Sequence, residues 1–508
     1  MNSPVTQDDP TAHGTALPGA RRPEPPDDLR TALRGRFADG TAFAASARAV
    51  PYWLAAVCYT LYALYSLLRH QRMETNAYDL GLFEQVVRSY AHFEAPVSDI
   101  RGPGFNVLGE HFHPILALLA PVYRLFPGAA TLLVAQALLI ALSVVPMTRI
   151  GQRVFGNLGG AAFGAAYGLS WGLQSTIGFD FHEVCFAIPM LAFALERFVR
   201  AEYRAGLLWL LPTVLVKEDL ALTLGAAGLF LLIRGRRRLA AAAIGGGAAV
   251  FALTVFVLLP AMNPHGNYPF WGNLNSGPPR ERGVDPLAGA DSVPVGELLL
   301  RLPELMLFPS QKWMTLLLLL LPTGFLALRS PLMLLALPTL LWRFTSTNAL
   351  YWNVGYHYSA VLMPIVFAAF ADAVLSLRKS PRDWLRRYAA QAAVIPIAVS
   401  VALAPHFPLM QLAHKRPWTV EPRVVTARAM LAGIPDGAQV SASDRFAPQL
   451  TDRTRVTLFP TVLPGPGWVA AALWGGGPDW MPPYLAALEA QGFRQVAARD
   501  GVLLLRRD

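Results

Sequence analysis

The chain has 508 residues, of which 54% are hydrophobic and only 15% charged, with ten more cationic than anionic groups and a positive mean hydropathy of +0.38. That composition excludes an ordinary soluble domain. No nucleic-acid motif is present, so the positive charge reads as contact with anionic membrane lipid and as a topology signal, not as nucleic-acid binding.

Residues 1–49 carry many Pro, Asp and Arg without an apolar period, which predicts a disordered arm too polar for a cleavable signal peptide. From residue 50 onward, apolar runs recur that are long enough to cross a hydrocarbon core of about 30 Å. They lie at 50–68, 130–149, 158–177, 184–200, 239–260, 313–328, 331–347, 358–377 and 388–405, with shorter ones at 114–126, 206–216 and 220–233. The expected fold is mainly α: a polytopic transmembrane domain over 50–405 with about 9–12 membrane helices, interrupted by loops at 69–113 and 261–312. The second loop, with Asn263-Pro264-His265-Gly266-Asn267 and Gly277-Pro278-Pro279, reads as irregular structure over a mouth. The run Gly245-Gly246-Gly247 suits close helix packing. Cys58 and Cys185 sit within or beside apolar runs, so no disulfide is expected.

The tail, 406–508, changes character. A helix at 423–431, strands at 439–443 and 455–459, a helix at 484–491 and a closing strand at 501–505 predict a small α/β module able to fold alone.

Orientation follows from the basic residues, which short cytoplasmic loops retain. Arg21 to Arg48, Arg149 with Arg153, Arg197 with Arg200 and Arg204, Arg234 to Arg238, Arg329, and Arg378 to Arg387 all fit inside under one threading. It requires that 114–126 does not cross fully and that 206–216 and 220–233 form a short hairpin. The N-terminus is then cytoplasmic and the closing module extracytoplasmic, in a multi-pass plasma-membrane protein. The acidic and histidine clusters, which took no part in building the threading, all turn outward: Asp79, Glu110-His111-Phe112-His113, Asp180 with His182 and Glu183, Lys217-Glu218-Asp219, and His357.

Each cluster has a plain and a chemical reading. Asp79 can cap a surface helix, or accept a proton or hold a cation. Asp180, His182 and Glu183, packed between two apolar runs, can cap an interfacial helix, or bind substrate hydroxyls, orient a base or coordinate a metal ion. Lys217, flanked by apolar residues, can pair with Asp219 or a neighbouring helix, or neutralise a phosphate, with Glu218 and Asp219 beside it as further substrate-binding candidates. His111 and His113 can serve as hydrogen-bonding groups at a wet mouth or as ligands of a divalent metal ion, the one cofactor the sequence suggests. His357, between Tyr356 and Tyr358, fits an interfacial aromatic belt or a sugar platform.

The string Asn-Ala-Tyr-Asp-Leu-Gly-Leu-Phe-Glu-Gln at 76–85 recurs with Gly109 to Pro114, Phe179 to Glu183 and Lys217 to Asp219 in an uncharacterised family that this chain resembles. Ser441-Ala442-Ser443-Asp444 and Asp500-Gly501-Val502-Leu503 extend the match, which covers roughly 50–505. That family is one of multi-pass membrane proteins of bacteria and archaea, known as a domain of unknown function. It is similar to the GT-C superfamily of integral-membrane glycosyltransferases, which use polyprenyl-phosphate sugars as donors. The resemblance implies that Asp79, in the first outer loop, is the general base that deprotonates the acceptor hydroxyl. Many GT-C members carry paired acids there, whereas Asp79 is followed by Leu80 and the next acid is Glu84. It also implies a polyprenyl-phosphate sugar donor and a lipid, glycan or protein acceptor. A transporter or flippase for an amphipathic substrate is the alternative, since charges near the midplane also mark transport paths. An assembly or sensor protein would leave the charges without a role.

Overall fold

The computed structural model describes residues 27–270, 295–474 and 481–508. The chain divides into two compact units, Met1–Ala49 and Val50–Asp508. A helix runs from Asp27 to Gln71, so helical structure extends into the stretch read from sequence as a disordered arm. The two aspartates at its start and the Ala, Leu and Arg that follow favour a helix despite the missing apolar period. Residues 1–26 and the segment around Gly277 lie outside the described residues.

Among the described residues, four helices are long and apolar enough to cross a membrane: Ala47–Gln71, Ala129–Gly178, Arg237–Met262 and His357–Leu377. Two bent pairs, Leu300–Leu307 with Gln311–Thr323 at 68° and Asp383–Gln391 with Val394–His406 at 45°, bring the number to six if each pair is one span. Shorter apolar helices occupy Pro114–Leu125, Tyr203–Leu215, Leu220–Ile233 and Pro331–Thr345. The protein is thus a mainly α, polytopic membrane fold.

Ala129–Gly178 holds two of the sequence-predicted spans, and its glycines show how. A Cβ on Gly160 would meet the Gln152 backbone at 2.3 Å, one on Gly164 would meet Thr148 Oγ1 at 2.0 Å, and one on Gly168 would touch Val144 at 3.4 Å. Contacts that step forward on one side and backward on the other define an antiparallel hairpin. Its turn is at Gly156, whose φ of 74° suits only glycine. Small residues four apart let the two arms approach closely. Of the run Gly245-Gly246-Gly247, only Gly247 is closely packed, since a Cβ on it would lie 2.5 Å from Ala221 O, while the other two face open space.

The predicted span 184–200 contains a helix of only Ala187–Val199, because 179–186 is spent on irregular backbone carrying charge. The loop 261–312, expected to be irregular, includes the helix Val295–Leu307.

Opposite ends of the helices carry opposite chemistry. Arg149 and Arg200 close on Glu196 at 3.7 and 2.8 Å, and Arg234 closes on Asp372 at 3.0 Å. Asp372 lies near the far end of a helix that starts at His357, roughly 20 Å away at 1.5 Å per residue.

The closing module is a five-stranded sheet of β1 (Gln439–Ala442), β2 (Arg455–Leu458), β3 (Gly467–Ala472), β4 (Arg494–Arg499) and β5 (Val502–Arg507) in the order β2-β1-β3-β5-β4. β1 runs parallel to β2 and β3, while β5 is antiparallel to β3 and β4. β3 and β4 escape the sequence reading: one is mostly alanine, and the other is a polar, exposed edge strand.

The module's inner face is continuous with the helical core: Val440, Ala442 and Phe446 share one buried cluster with Leu80 and Phe83. Polar bonds join it to the surface helix Leu82–Ala91. Gln85 donates to Val456 O at 2.8 Å, and Arg88 donates to Thr451 O and Thr454 O at 3.0 and 2.8 Å. Fully buried Glu84 accepts from Tyr123 OH at 2.9 Å and from Thr451 Oγ1. Burial pushes the Glu84 carboxyl up to about 8, against the opposing pull of the Thr451 hydrogen bond.

An acid whose pKa is higher folded than unfolded stabilises the fold while protonated. Its contribution is complete below the ordinary value of 4.5 and fades as pH rises toward about 8. Glu84→Gln, always neutral, is expected to flatten the loss of thermal stability between pH 5 and 8 in detergent. A slope equal to that of the parent protein would show that Glu84 does not titrate in this range.

Candidate functional site

Three segments bring side chains to one point. The first is the turn Ala77–Gly81 after the first span, where Asp79 has φ 75° and ψ −80°. Such a positive-φ turn is strained for any residue but glycine and persists only where its surroundings over-determine it. Those surroundings are visible. Ala77 N donates to Asp444 Oδ1 of the module at 2.9 Å, while Asn76 donates to Asp180 Oδ2 from its backbone N at 2.8 Å and from Nδ2 at 3.0 Å.

The second segment is 179–186. Asp180 also has positive φ, 67°, and its other carboxylate oxygen receives Arg69 Nη1 at 2.7 Å. With both oxygens engaged and 2% of its surface exposed, Asp180 clamps the first segment to the second. Gln136, from an otherwise apolar helix, donates to Asp180 O and accepts from His182 N at 2.8 Å. The third segment begins the His357–Leu377 helix, and the His357 ring stacks on His182 with centroids 3.4 Å apart.

The result is a cluster in which one ligand atom each of Asp79, His182 and His357 lies within 4.8 Å of the others. His182 Nε2 is 3.9 Å from Asp79 Oδ1. Both ring nitrogens of buried His357 have no hydrogen-bond partner among the described residues, a costly state that calls for a ligand. Metal ligands about 2.0–2.2 Å from an ion sit roughly 3–3.5 Å from one another, so closing this set needs a shift of about an ångström.

Behind the cluster lies a buried charge relay. Glu183, fully buried, has Oε2 2.6 Å from His182 Nδ1 and Oε1 3.4 Å from Lys217 Nζ. Burial alone would raise the Glu183 pKa, but His182 and Lys217 hold it well below the usual carboxylate range. Burial likewise opposes the Lys217 cation, and Glu183, Asp219 and Glu218 outweigh it. Burial, then the Glu183 and Asp180 charges, raises the Asp79 carboxyl, with Lys217 opposing. Asp79 keeps 22% of its surface exposed, so water tempers the effect.

The remaining sequence-predicted residues form the rim. Glu218 accepts from Phe112 N at 3.2 Å and from Tyr268 OH at 3.2 Å, and it meets His111 Nδ1 at 2.8 Å. Asp219 accepts from Trp342 Nε1 at 2.7 Å. His111 and His113, read as a metal pair, turn to different partners: His111 to Glu218 and the Phe270 ring, His113 edge-on to Phe83. The ligand-like grouping that does form replaces them with Asp79, His182 and His357.

Sequence reasoning passed over Arg69, Asn76 and Gln136, and also Arg343. Arg343 is fully buried and donates to Tyr351 O, Tyr358 O and Ser359 Oγ. Its Nη2 has no partner, and no carboxylate pairs with it among the described residues. An arginine inside the apolar run 331–347 was itself a signal.

A helical bundle, a small mixed sheet and a charged cluster at their junction define a mainly α, polytopic membrane protein. The structure is similar to the crystal structure of ArnT from Cupriavidus metallidurans bound to undecaprenyl phosphate, with a TM-score of 0.50 and 15% identity over 89% of this chain and 97% of that one. The chain belongs to the family described as Predicted membrane protein (DUF2079), whose model matches residues 69–504. A comparison with curated proteins finds no match.

Removing one partner of a buried ion pair costs about 3–5 kcal/mol, because the other charge is left unpaired. Lys217→Met is therefore expected to lower the unfolding temperature in detergent sharply. Adding Glu183→Gln is expected to recover much of the loss, and a double variant no better than the single would break the pairing.

Proposed function

We propose that this protein is an integral-membrane glycosyltransferase that moves a sugar from a polyprenyl-phosphate donor to an acceptor hydroxyl on the outer face of the membrane. The observation that carries it is the convergence of strained, part-exposed Asp79 with His182 and His357, backed by the Glu183–Lys217 pair. The shared fold with ArnT, whose structure holds undecaprenyl phosphate, supports a lipid-phosphate partner. Charged groups at the other end of the helices are closed into pairs with Glu196 and Asp372, which favours a one-sided site over a transport path.

In this reading the acceptor oxygen forms a bond to the anomeric carbon as the bond from that carbon to the phosphate oxygen breaks. The hydroxyl proton goes to Asp79 and the electron pair leaves with the phosphate. A raised carboxyl pKa makes Asp79 a better base. Lys217, and Arg343 with its uncommitted Nη2, would balance the phosphate charge. A divalent cation, if bound, would be held by Asp79, His182 and His357 and would supply further positive charge to the leaving group. Only one Asp79 oxygen is needed for that set, leaving the other for the proton. In the same reading the N-terminus is cytoplasmic and the module outside, as the distribution of basic loop residues supports.

Asp79→Asn is expected to reduce transfer from a polyprenyl-phosphate sugar in proteoliposomes by about 10²–10⁴-fold, the usual scale of a general base, with the protein still folded. Activity within a few fold of the parent would remove Asp79 as base. Loss of activity on chelation, restored by a divalent ion in the parent but not in His357→Ala, is expected if the cluster holds a metal.

A further inference from the structure

A cavity of about 690 Å³ is walled in part by the three segments that run on to the cluster. Glu74 precedes Asp79 by five residues, Gly178 precedes His182 by four, and Gly355 precedes His357 by two. A molecule seated in the cavity therefore borders the backbone segments that carry all three members of the cluster. A second, much smaller cavity of about 20 Å³ touches His357 together with Lys217, Asp219, Trp342 and Tyr358.

The charge of the large cavity is lopsided. Its walls carry Arg69, Arg416 and Arg445 with His406 and His414, against a single carboxylate, Glu74. Glu74 is already taken by Arg72 at 2.6 Å and Arg416 at 3.2 Å, and Arg69 is spent on Asp180. Arg445, on the exposed turn after β1, has no carboxylate within ion-pair reach among the described residues. Aromatic rings of Tyr65 and Phe407 line the same space, and rings of this kind cover the apolar faces of sugars while polar groups take the hydroxyls.

We propose that this cavity binds the acceptor, and that the acceptor is a polar, hydroxyl-bearing molecule with an anionic group, phosphate or carboxylate, received by Arg445. The assignment rests on the glycosyl-transfer reading. The volume suits a sugar-sized head, an uncommitted guanidinium favours a planar or tetrahedral oxyanion, and the cavity wall reaches the Asp79 loop through Arg69, which binds Asp180, the residue that in turn holds Asn76.

The test uses the full chain in liposomes with one reporter, Met410→Cys. Met410 lines the cavity and is 41% exposed, whereas the native Cys58 and Cys185 are buried. Labelling rates are compared for an anionic sulfonate and a cationic trimethylammonium methanethiosulfonate, each normalised to a small free thiol. The anionic reagent is expected to gain about fivefold or more from local field focusing, and Arg445→Gln is expected to bring the ratio near one. Equal rates, or no change in Arg445→Gln, would overturn the proposal.

Millimolar glucose 6-phosphate in neutral bilayers is expected to slow labelling several-fold while glucose does not, which would identify a water-borne anion. Protection that instead requires phosphatidylglycerol in the bilayer would support the same chemistry on a lipid headgroup. Protection by neither, or equally by glucose, would sink it. No donor is present in these measurements. An intact charge preference with no sugar transfer would thus count against the transferase reading alone, and transfer without the preference would count against the acceptor site alone.

Discussion

Charge buried away from water must be matched, and the match between Glu183 and Lys217 is the contact on which the site depends. Glu183 has no exposed surface. It is tolerable only because His182 and Lys217 lie against its two oxygens, and in meeting that need it fixes both residues. His182 then orders the rest: one ring face stacks on His357 and one nitrogen points toward Asp79. The chemistry at the surface of the cluster is held by an electrostatic debt settled one layer behind it.

A second layer of constraint acts through backbone. Two residues with positive φ, Asp79 and Asp180, sit on facing segments, and the Asn76 bonds to Asp180 lock them together. Arg69, near the end of the first span, completes the lock. Strain at Asp79 is thereby carried by a clamp whose members do not themselves face the cluster. This division of labour separates Asp180, saturated and buried, from Asp79, which keeps an open edge.

Much of this was legible in the chain. Charges in an apolar context flagged Asp180 to Glu183 and Lys217 to Asp219, since such residues are costly unless paired or used. Asp79 stood out through its position after the first span, and the basic residues sorted the helix ends. What stayed hidden were pairings across long sequence separations, such as Asn76 with Asp180 and Ala77 with Asp444, which no local pattern encodes. The metal-like grouping was missed because His357 looks like a member of an aromatic belt until the fold stacks it on His182. Spacing in the sequence pointed instead to His111 and His113, whose side chains diverge. The hairpin at Gly156 was visible only as two apolar runs, and β3 was hidden by its alanines.

The bond from Ala77 N to Asp444 has a consequence for how the protein is made. The loop that bears Asp79 is synthesised well before one of its fastenings, which is supplied by a residue 367 positions after Ala77. Domains that fold during synthesis ordinarily do so from the N-terminus onward. Here the Asp79 loop waits for the closing module. A polypeptide that stops short of Asp444, even one whose helices have inserted, would carry Asp79 without this fastening of its loop.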